Sequence, residues 1–439
     1  MQESFYKKTM KIAIPVALQA MLQSSFSMID QIMVGQLGEK AIAAVEVGSK
    51  PGFVFTFVSG AVASVTGIMV SQYMGKKDED KIDTSMSLNM CVMMAIALFT
   101  AVLGLVIPRE LAATFINENG VINESSRYIR IIALTYPLSG AASILAVHIR
   151  CKDHAKYPLY ISGIAAVINT LLNCVLIFGH LGMPKLGVTG AAVASLASQA
   201  FSLVAMTIIY KKLAGFRFRI SLSRLEFRQY LIMLIPIVLN ELLWTMGQNV
   251  NTFIYGHMGT EELAGMSLTG PVQGLVIGAL SGIAQAAGII IGKRLGEKDY
   301  EKAYSESIRL CIYGFIGSIV LSLVCIAFSN MYTGIFHVDN EVKKLGTGLM
   351  IAFAFLAPAK VQNMILGGGI IRSGGRTKYI MIIDILGTWL IGVPLGLLTG
   401  LKLKLPIVWV YFILSQEEVV RFIISIYMFR SRKWMNTIE

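Results

Sequence analysis

The stretch IPVALQAMLQSSFSMIDQIMVGQLGEKAIAA (residues 14–44) returns in altered form as IPIVLNELLWTMGQNVNTFIYGHMGTEELAG (residues 235–265). The offset of 221 residues is about half of the 439-residue chain. The same register relates GKKDEDK (residues 75–81) to GEKDYEK (residues 296–302). A repeat with this period indicates that the chain consists of two related halves.

The composition of the chain is that of a membrane protein. Hydrophobic residues make up 55% of the chain and charged residues 15%, and the mean hydropathy is +0.66. A helix needs roughly 20 apolar residues to cross a bilayer. Twelve such runs, called spans 1 to 12 below, are predicted at residues 10–35, 50–74, 85–107, 128–149, 158–180, 187–210, 230–256, 271–292, 308–331, 347–371, 379–400 and 406–429. The predicted fold class is therefore an all-α integral membrane protein with twelve transmembrane helices.

The number of spans in each half determines how the halves are related. Six is an even number, so both halves enter the membrane from the same side and form a parallel repeat. We predict two six-helix bundles, residues 1–215 and 216–439, around a central cleft. Duplicated bundles of this kind are typical of transporters, and a purely structural scaffold is the alternative.

Basic residues alternate between the loops. The N-terminal segment and the even-numbered loops hold 26 of the 38 Lys and Arg residues, whereas the odd-numbered loops hold 10. Because cytoplasmic loops carry an excess of these residues, both termini are predicted to be cytoplasmic, in the inner (cytoplasmic) membrane. The net charge of +12 follows from this topology, so no nucleic-acid partner is predicted.

Asp30 is a carboxylate inside span 1. An ionisable residue at mid-membrane costs at least about 2.5–3.5 kcal/mol on insertion scales. Gln19, Gln23 and Ser27 share its helical face, which must contact protein or water, and Gln23 and Ser27 are predicted to bind the substrate. In low-dielectric surroundings the carboxylate can take up a proton or bind a hard cation such as sodium. The alternative is that Asp30 only accepts hydrogen bonds from neighbouring helices.

Span 5 carries two asparagines, Asn169 and Asn173, one helical turn apart. Their amide groups can present oxygens to a cation or donate hydrogen bonds to Asp30. Polar contacts between packed helices are an equally good explanation.

The second half contains its own candidates in span 7. Glu241 lies near the middle of that span, and its helical face continues through Trp244, Gln248 and Asn251. Asn251 is also the repeat counterpart of Asp30. These residues are predicted to contact the coupling ion or the substrate.

Other charged residues in the spans have structural alternatives. Lys360 in span 10 can neutralise the carboxylate of span 7. Asp384 in span 11 is a candidate for ion coupling, but a position near the cytoplasmic interface would leave it solvated. Span 12 favours an ion pair within one helix, formed among Glu417, Glu418 and Arg421.

Enzymatic motifs are missing from the sequence. It contains no HExxH, GxSxG, Walker A or Gly-rich dinucleotide motif, and its five cysteines are odd in number and mostly within spans. We therefore predict neither an enzyme nor a bound cofactor, and the energy for transport must come from an ion gradient. The alternative is a membrane-embedded enzyme such as an acyltransferase. Such an enzyme requires a nucleophile or metal site, and the sequence shows neither pattern.

Four segments resemble the multidrug and toxic compound extrusion (MATE) family of prokaryotic type. They are MIDQIMVGQLGEKAIAA (residues 28–44), SQYMGKKDEDK (residues 71–81), GVTGAAVASLASQ (residues 187–199) and IRSGGRTKY with DILGTWLIGVPLG (residues 371–379 and 384–396). The resemblance covers essentially the whole chain. It implies a V-shaped pair of six-helix bundles that exports drugs or metabolites in exchange for protons or sodium.

The resemblance also implies a site in the first half. Family members place an acid on span 1, which matches Asp30, and an Asn and an acid on span 5. Those two positions are Asn169 and Asn173 here, so the second acid is missing. A hydroxyl residue on span 6 matches Ser195. The missing charge leaves Asp30 to titrate more nearly alone.

A second branch of the family places acids in the C-terminal bundle. Glu241 resembles its span 7 acid in part, and Arg376 stands where that branch has a further acid before Thr377. Asp384, two turns later, is the candidate substitute. Asp30 and Glu241 are thus the possible sodium ligands.

The function predicted from these features is secondary active antiport. The substrate is expected to be an amphipathic, cationic small molecule that is exchanged for protons, sodium or both, and the chain is expected to act as a monomer in the lipid bilayer. The alternative is a lipid-linked oligosaccharide flippase of the same broad superfamily, which needs a cationic cavity for diphosphate groups.

Overall fold

The computed structural model describes residues 4–213, 219, 224–336 and 338–438, and all regular elements in these ranges are helices. The first half contains α1 (Phe5–Gly35), α2 (Glu39–Lys76), α3 (Glu79–Val106), α4 (Pro108–Ala113), α5 (Asn119–Ala133), α6 (Thr135–Cys151), α7 (Lys156–Phe178) and α8 (Val188–Leu213). The second half contains α9 (Arg224–Met258), α10 (Thr260–Gly296), α11 (Tyr300–Gly334), α12 (Asn340–Asn363), the π-helix π1 (Met364–Ile371), α13 (Thr377–Gly387), π2 (Thr388–Gly392), α14 (Val393–Gly396), π3 (Leu397–Lys402), α15 (Ile407–Leu414) and α16 (Gln416–Arg430).

The predicted all-α membrane fold is confirmed. Within the described ranges, eleven helices are long and apolar enough to cross a membrane when contiguous segments are counted together. Helices suit the lipid interior because each backbone N–H and C=O group is satisfied within its own segment. Span 12 differs from the prediction of one continuous helix over residues 406–429. It consists of α15 and α16, which meet at Ser415.

Many large apolar side chains face outward along these helices. Phe99, Leu171 and Leu323 are each more than 60% exposed, and dozens of similar residues are distributed over the other long helices. A soluble protein rarely exposes contiguous apolar surface on this scale. The exposed bands therefore fit contact with lipid.

Packing divides the chain into two units. The N-terminal unit comprises Leu18–Val70 and Asp78–Arg224, and the C-terminal unit comprises Met1–Ala17, Ser71–Lys77 and Leu225–Glu439. Short pieces of α1 and α2 thus group with the second half of the chain. The bundle boundary predicted at residues 215 and 216 lies outside the described residues.

Close packing of α7 on α8 organises the N-terminal unit. A Cβ atom at Gly190 of α8 would lie only 2.7 Å from the carbonyl group of Leu176 on α7, so the absent side chain lets the two backbones approach. Two alanines, Ala191 and Ala192, continue the small-residue surface of α8 in the buried core. This contact places Ser195 beside the asparagines of α7.

In the C-terminal unit, α12 packs against α10, α11 and α16. The wide turns of π1 follow α12 directly, and π2 and π3 flank Pro394. Proline has no backbone N–H, so the carbonyl four residues before it, in Leu390 of π2, loses its usual partner. Irregular turns of this kind are frequent at functional sites, and π2 contacts α16, where the charged residues of span 12 lie.

Candidate functional site

Asp30 of α1 is joined to α7 by a hydrogen bond. Asn173 Nδ2 donates to Asp30 Oδ1 at 2.8 Å, and Asn173 is almost fully buried. The same nitrogen lies 3.1 Å from Asn169 Oδ1, one turn earlier on α7. The carboxylate and both asparagines predicted to accompany it are therefore in one cluster.

The amide of Asn169 has two orientations with different partners. In one, its Nδ2 donates to Ser195 Oγ at 3.4 Å. In the other, its Nδ2 donates to Asp30 Oδ1 at 3.0 Å, while its Oδ1 accepts from the backbone N–H of Ser195 at 3.2 Å. The second orientation satisfies both amide atoms and gives the carboxylate two neutral donors.

A cavity of about 470 Å³ opens beside this cluster. Gln23, Ser27, Asp30, Asn169 and Ser195 all line it, together with Phe26, Ser162, Ala165, Ala166, Ser198, Gln199 and Ser202. Asp30 is the only charged residue among these lining positions, and no ion pair of Asp30 occurs in the described part of the chain. The arrangement is a polar chamber with a single titratable carboxylate.

A second polar contact extends from this chamber along α1. Gln19 Nε2 donates to Ser162 Oγ at 2.8 Å, and Arg150 Nη2 donates to Gln19 Oε1 at 3.2 Å. Gln19 was expected on the face of Asp30. Arg150, by contrast, counts in the sequence as a basic loop residue, whereas it lies in the last turn of α6 and points into the N-terminal unit.

The C-terminal unit has its own cavity of about 470 Å³. Three of the predicted residues, Glu241, Trp244 and Gln248, line it along α9, and Asp384 lines it from α13. Unlike the chamber of the first half, this cavity also presents basic side chains, namely Lys360, Arg372 and Arg421. Opposite charges therefore face each other inside it.

Lys360 does not neutralise Glu241. Its Nζ lies 3.9 Å from Glu418 Oε1 on α16, and no ion pair of Glu241 is found among the described residues. The alternative in which Lys360 pairs with Glu241 is therefore wrong, and Lys360 instead joins α12 to α16. Glu241 lines the cavity without an ion pair to any described residue.

Asp384 and Arg421 form an ion pair with side chains that are only 13% and 11% exposed. The alternative in which Asp384 is solvated near the cytoplasmic interface is therefore wrong. Arg421 Nη1 also lies 3.3 Å from Glu418 Oε2. The intrahelical pair in span 12 therefore joins Arg421 to Glu418, and Glu417 takes no part in it.

Asn251 lies apart from the Glu241 cavity. It lines a smaller cavity of about 180 Å³ in the same unit, and Gln248 contributes to both cavities. The side chain of Asn251 is buried, and its Oδ1 has no hydrogen-bond partner among the described residues. The predicted substrate-contacting face of α9 is thus divided between two cavities.

The sequence model of the MatE family matches residues 15–175 and 236–398, which together make up most of the chain. The chain belongs to the MatE family. The two matched segments begin 221 residues apart, which is the offset of the internal repeat. The resemblance noted from the four sequence segments is confirmed.

Curated relatives of this MatE chain match it along nearly the whole length. An uncharacterized transporter, YisQ of Bacillus subtilis (strain 168), is 22% identical over 96% of this chain and 93% of its own. The probable multidrug resistance protein YoeA of the same organism is 24% identical over 93% and 90%. The probable multidrug resistance protein NorM of Thermotoga maritima is 24% identical over 98% and 93%.

Solved structures share the fold of this MatE chain. A MATE protein in complex with MaL6 superposes with a TM-score of 0.88 at 17% identity, covering 98% of this chain and 97% of the other. An outward-facing multidrug resistance MATE transporter of the MOP superfamily gives 0.89 at 16% identity, covering 98% and 97%. A MOP superfamily transporter from Pyrococcus furiosus, described as having a binding pocket of reversed polarity, gives 0.87 at 17% identity, covering 98% and 96%.

Two residues of this MatE chain gain importance only from the structure. Arg150 lies in a run of basic residues, and no local pattern distinguishes it from the loop lysines that follow. Glu417 is adjacent to Glu418, and the sequence spacing allowed either carboxylate to pair with Arg421. Arg421 also pairs with Asp384 of α13, and Glu418 also lies near Lys360 of α12, so this pair has further partners on other helices.

Proposed function

We propose that this MatE-family chain is a secondary active antiporter that exports amphipathic, cationic small molecules in exchange for protons. The names of YoeA and NorM, probable multidrug resistance proteins, agree with a drug-like substrate. The observation that carries the proposal is the chamber beside Asp30. It combines one carboxylate with neutral polar and apolar walls.

The electrostatics of the chamber support competition between two cations. The contacts of Asp30 come from amide donors, which stabilise the carboxylate without neutralising it. An ionised Asp30 therefore attracts a cationic substrate. Uptake of a proton removes the charge, weakens substrate binding and favours release.

The donor set favours protons over sodium as the coupling ion. Sodium, a hard cation, prefers several oxygen ligands with negative charge among them. Among the described residues, the polar groups next to Asp30 are neutral amides and a hydroxyl, from Asn169, Asn173 and Ser195. Glu241, which has no ion pair among the described residues, is the candidate for a separate sodium site with Gln248.

The flippase alternative is less well supported. A lipid-linked oligosaccharide carries diphosphate groups, which require basic side chains in the cavity. In the described part of the chain, the residues that line the Asp30 chamber include no Lys or Arg, and in the second cavity three bases face three acids. Neither cavity has the excess positive charge that a diphosphate group requires.

The protein acts in the inner (cytoplasmic) membrane with both termini cytoplasmic, as the distribution of Lys and Arg predicts. It works as a monomer, holds no cofactor and releases its substrate chemically unchanged.

Transport of ethidium by reconstituted protein tests the proposal. Ethidium is permanently charged, so a pH difference alone does not trap it. Proteoliposomes with an acidic interior should accumulate ethidium when they are diluted into alkaline, sodium-free buffer. The Asp30→Asn variant should lower this uptake to the level of protein-free vesicles, because the amide keeps size and hydrogen bonding but cannot change charge. Glu118→Gln, which removes an exposed carboxylate of the same unit, should transport normally.

Three other outcomes would each contradict one part of the proposed function. Normal uptake by Asp30→Asn would remove Asp30 from the mechanism. Uptake that needs a sodium gradient would replace the coupling ion. Movement of a lipid-linked oligosaccharide diphosphate, without ethidium transport, would favour the flippase.

A further inference from the structure

Glu417 is a buried carboxyl group in the C-terminal unit. It lies in the first turn of α16 and is only 5% exposed. Its neighbour Glu418 has the two cations described above and also accepts a hydrogen bond from Asn363 Nδ2 at 2.8 Å. No ion pair of Glu417 occurs in the described part of the chain; Arg421 and Lys360 act on its carboxyl group at longer range, and the hydroxyl group of Thr388 on π2 lies beside it.

The fold provides a specific place for this side chain. A Cβ atom at Gly392 of π2 would overlap Glu417 Oε2, so the glycine makes room for the carboxyl group. Similarly, a Cβ atom at Gly387 would overlap the side chain of Arg421. Gly387 of α13 thus makes room for Arg421, and Gly392 of π2 makes room for Glu417. The carboxyl group of Glu417 packs directly against the backbone of π2.

Glu417 also lines the small cavity of about 180 Å³ in the C-terminal unit. Asn251, the repeat counterpart of Asp30, lines the same cavity, and its unpartnered Oδ1 is buried there. In the N-terminal unit, Asp30 itself is the acid at this position of the repeat. In the C-terminal unit the acid beside that position comes from α16.

The charged groups around Glu417 come from three helices. On its own helix are Glu418 and Arg421, α12 contributes Lys360 and α13 contributes Asp384. The remaining titratable neighbours are the phenols of Tyr255 on α9 and Tyr411 on α15, which line the cavity. Two acids balance two bases in the ion-paired group, so an ionised Glu417 would give the cluster a net charge of −1.

We propose that Glu417 is a proton-binding site of the C-terminal unit, which switches its buried charge cluster between neutral and negative. Burial of an uncompensated carboxylate is costly, so the resting group holds a proton. On release, the O–H bond of the carboxyl group breaks, its electron pair stays on Oε2, and the proton passes to water in the cavity. The negative cluster that results can hold a monovalent cation. This site stands apart from the proposed role of Asp30.

Infrared difference spectroscopy of the full-length protein in lipid nanodiscs tests the assignment. A protonated carboxyl group gives a C=O stretching band that disappears on ionisation and shifts in heavy water. In the wild type, raising the pH should remove a component of this band. In Glu417→Gln that titrating component should be absent, and in Glu417→Asp it should return at a shifted frequency. The exposed-site variant Glu118→Gln should give the wild-type spectrum.

Two further results test whether the titrating band belongs to Glu417. A folded Glu417→Gln protein, with unchanged thermal unfolding, that keeps the full titrating band would overturn the proposal. The Asp30→Asn variant should lose a different component and keep that of Glu417. Because the band is measured without transport, normal ethidium uptake by Asp30→Asn would disprove the antiport mechanism without affecting the assignment of Glu417.

Discussion

Asn173 Nδ2 donates a 2.8 Å hydrogen bond to Asp30 Oδ1, which joins α7 to α1 although the two residues are 143 positions apart in the sequence. Because Asn173 contacts the carboxylate directly, a substitution at position 173 can change the charge next to Asp30. An amide there stabilises the carboxylate, and a second carboxylate would compete with it for protons.

The Asn173→Asp variant should shift the pH dependence of ethidium transport upward by about one unit or more. Two carboxylates in contact share a proton, and the first proton is held to higher pH because the like charges repel each other. The added charge should also produce stimulation by sodium. Transport by proteoliposomes over a series of pH values measures both effects. Asn119→Asp, an exposed substitution at the start of α5, is the matched control, and an identical profile for both variants would contradict the prediction.

The Arg421→Met variant should lower the free energy of unfolding by about 3–5 kcal/mol, because it leaves Asp384 and Glu418 buried with lost partners. Thermal unfolding in detergent measures the loss. Arg421→Lys keeps the charge and should lose less. Lys40→Met breaks an ion pair whose side chains are 77% and 51% exposed and should change stability little. Equal stability of the two methionine variants would argue against a structural role for the buried network.

The Gly190→Ala variant should destabilise the N-terminal unit by about 1–3 kcal/mol, because the added methyl group forces α7 and α8 apart. The change should also reduce ethidium transport, since Ser195 and Asn169 lie across the same contact. Gly60→Ala is the control, because a Cβ atom there meets nothing within 4 Å. Unfolding temperatures that rank the two variants in the reverse order would refute the packing argument.

Cysteine labelling in intact cells should verify the predicted topology. In a variant without its five native cysteines, Glu79→Cys should react with a membrane-impermeant maleimide only after the cells are permeabilised. Met183→Cys, in the loop between α7 and α8, should react in intact cells. These results follow from the excess of Lys and Arg in the even-numbered loops. The opposite pattern would invert the orientation and place both termini outside.

The existence and order of the membrane helices were predictable from the sequence. A lipid environment requires each spanning segment to satisfy its own backbone groups, so every span leaves a local apolar signal about 20 residues long. The break at Ser415 was not predictable, because α15 and α16 together still read as one apolar run. The π-helical turns around Pro394 were not predictable either, because the sequence shows only the proline.

The sequence by itself determined the two halves, the spans and the unusual position of Asp30, since each of these depends on local composition or on repetition along the chain. Only the tertiary structure decided which polar groups meet. It joined Asp30 to Asn173, paired Glu418 with Lys360 and Arg421, and left Glu417 without an ion pair among the described residues. The physical reason is that periodicity reports the polar face of one helix, whereas a partner depends on the rotation and distance of a neighbouring helix. Those are set by side-chain packing between residues far apart in the chain.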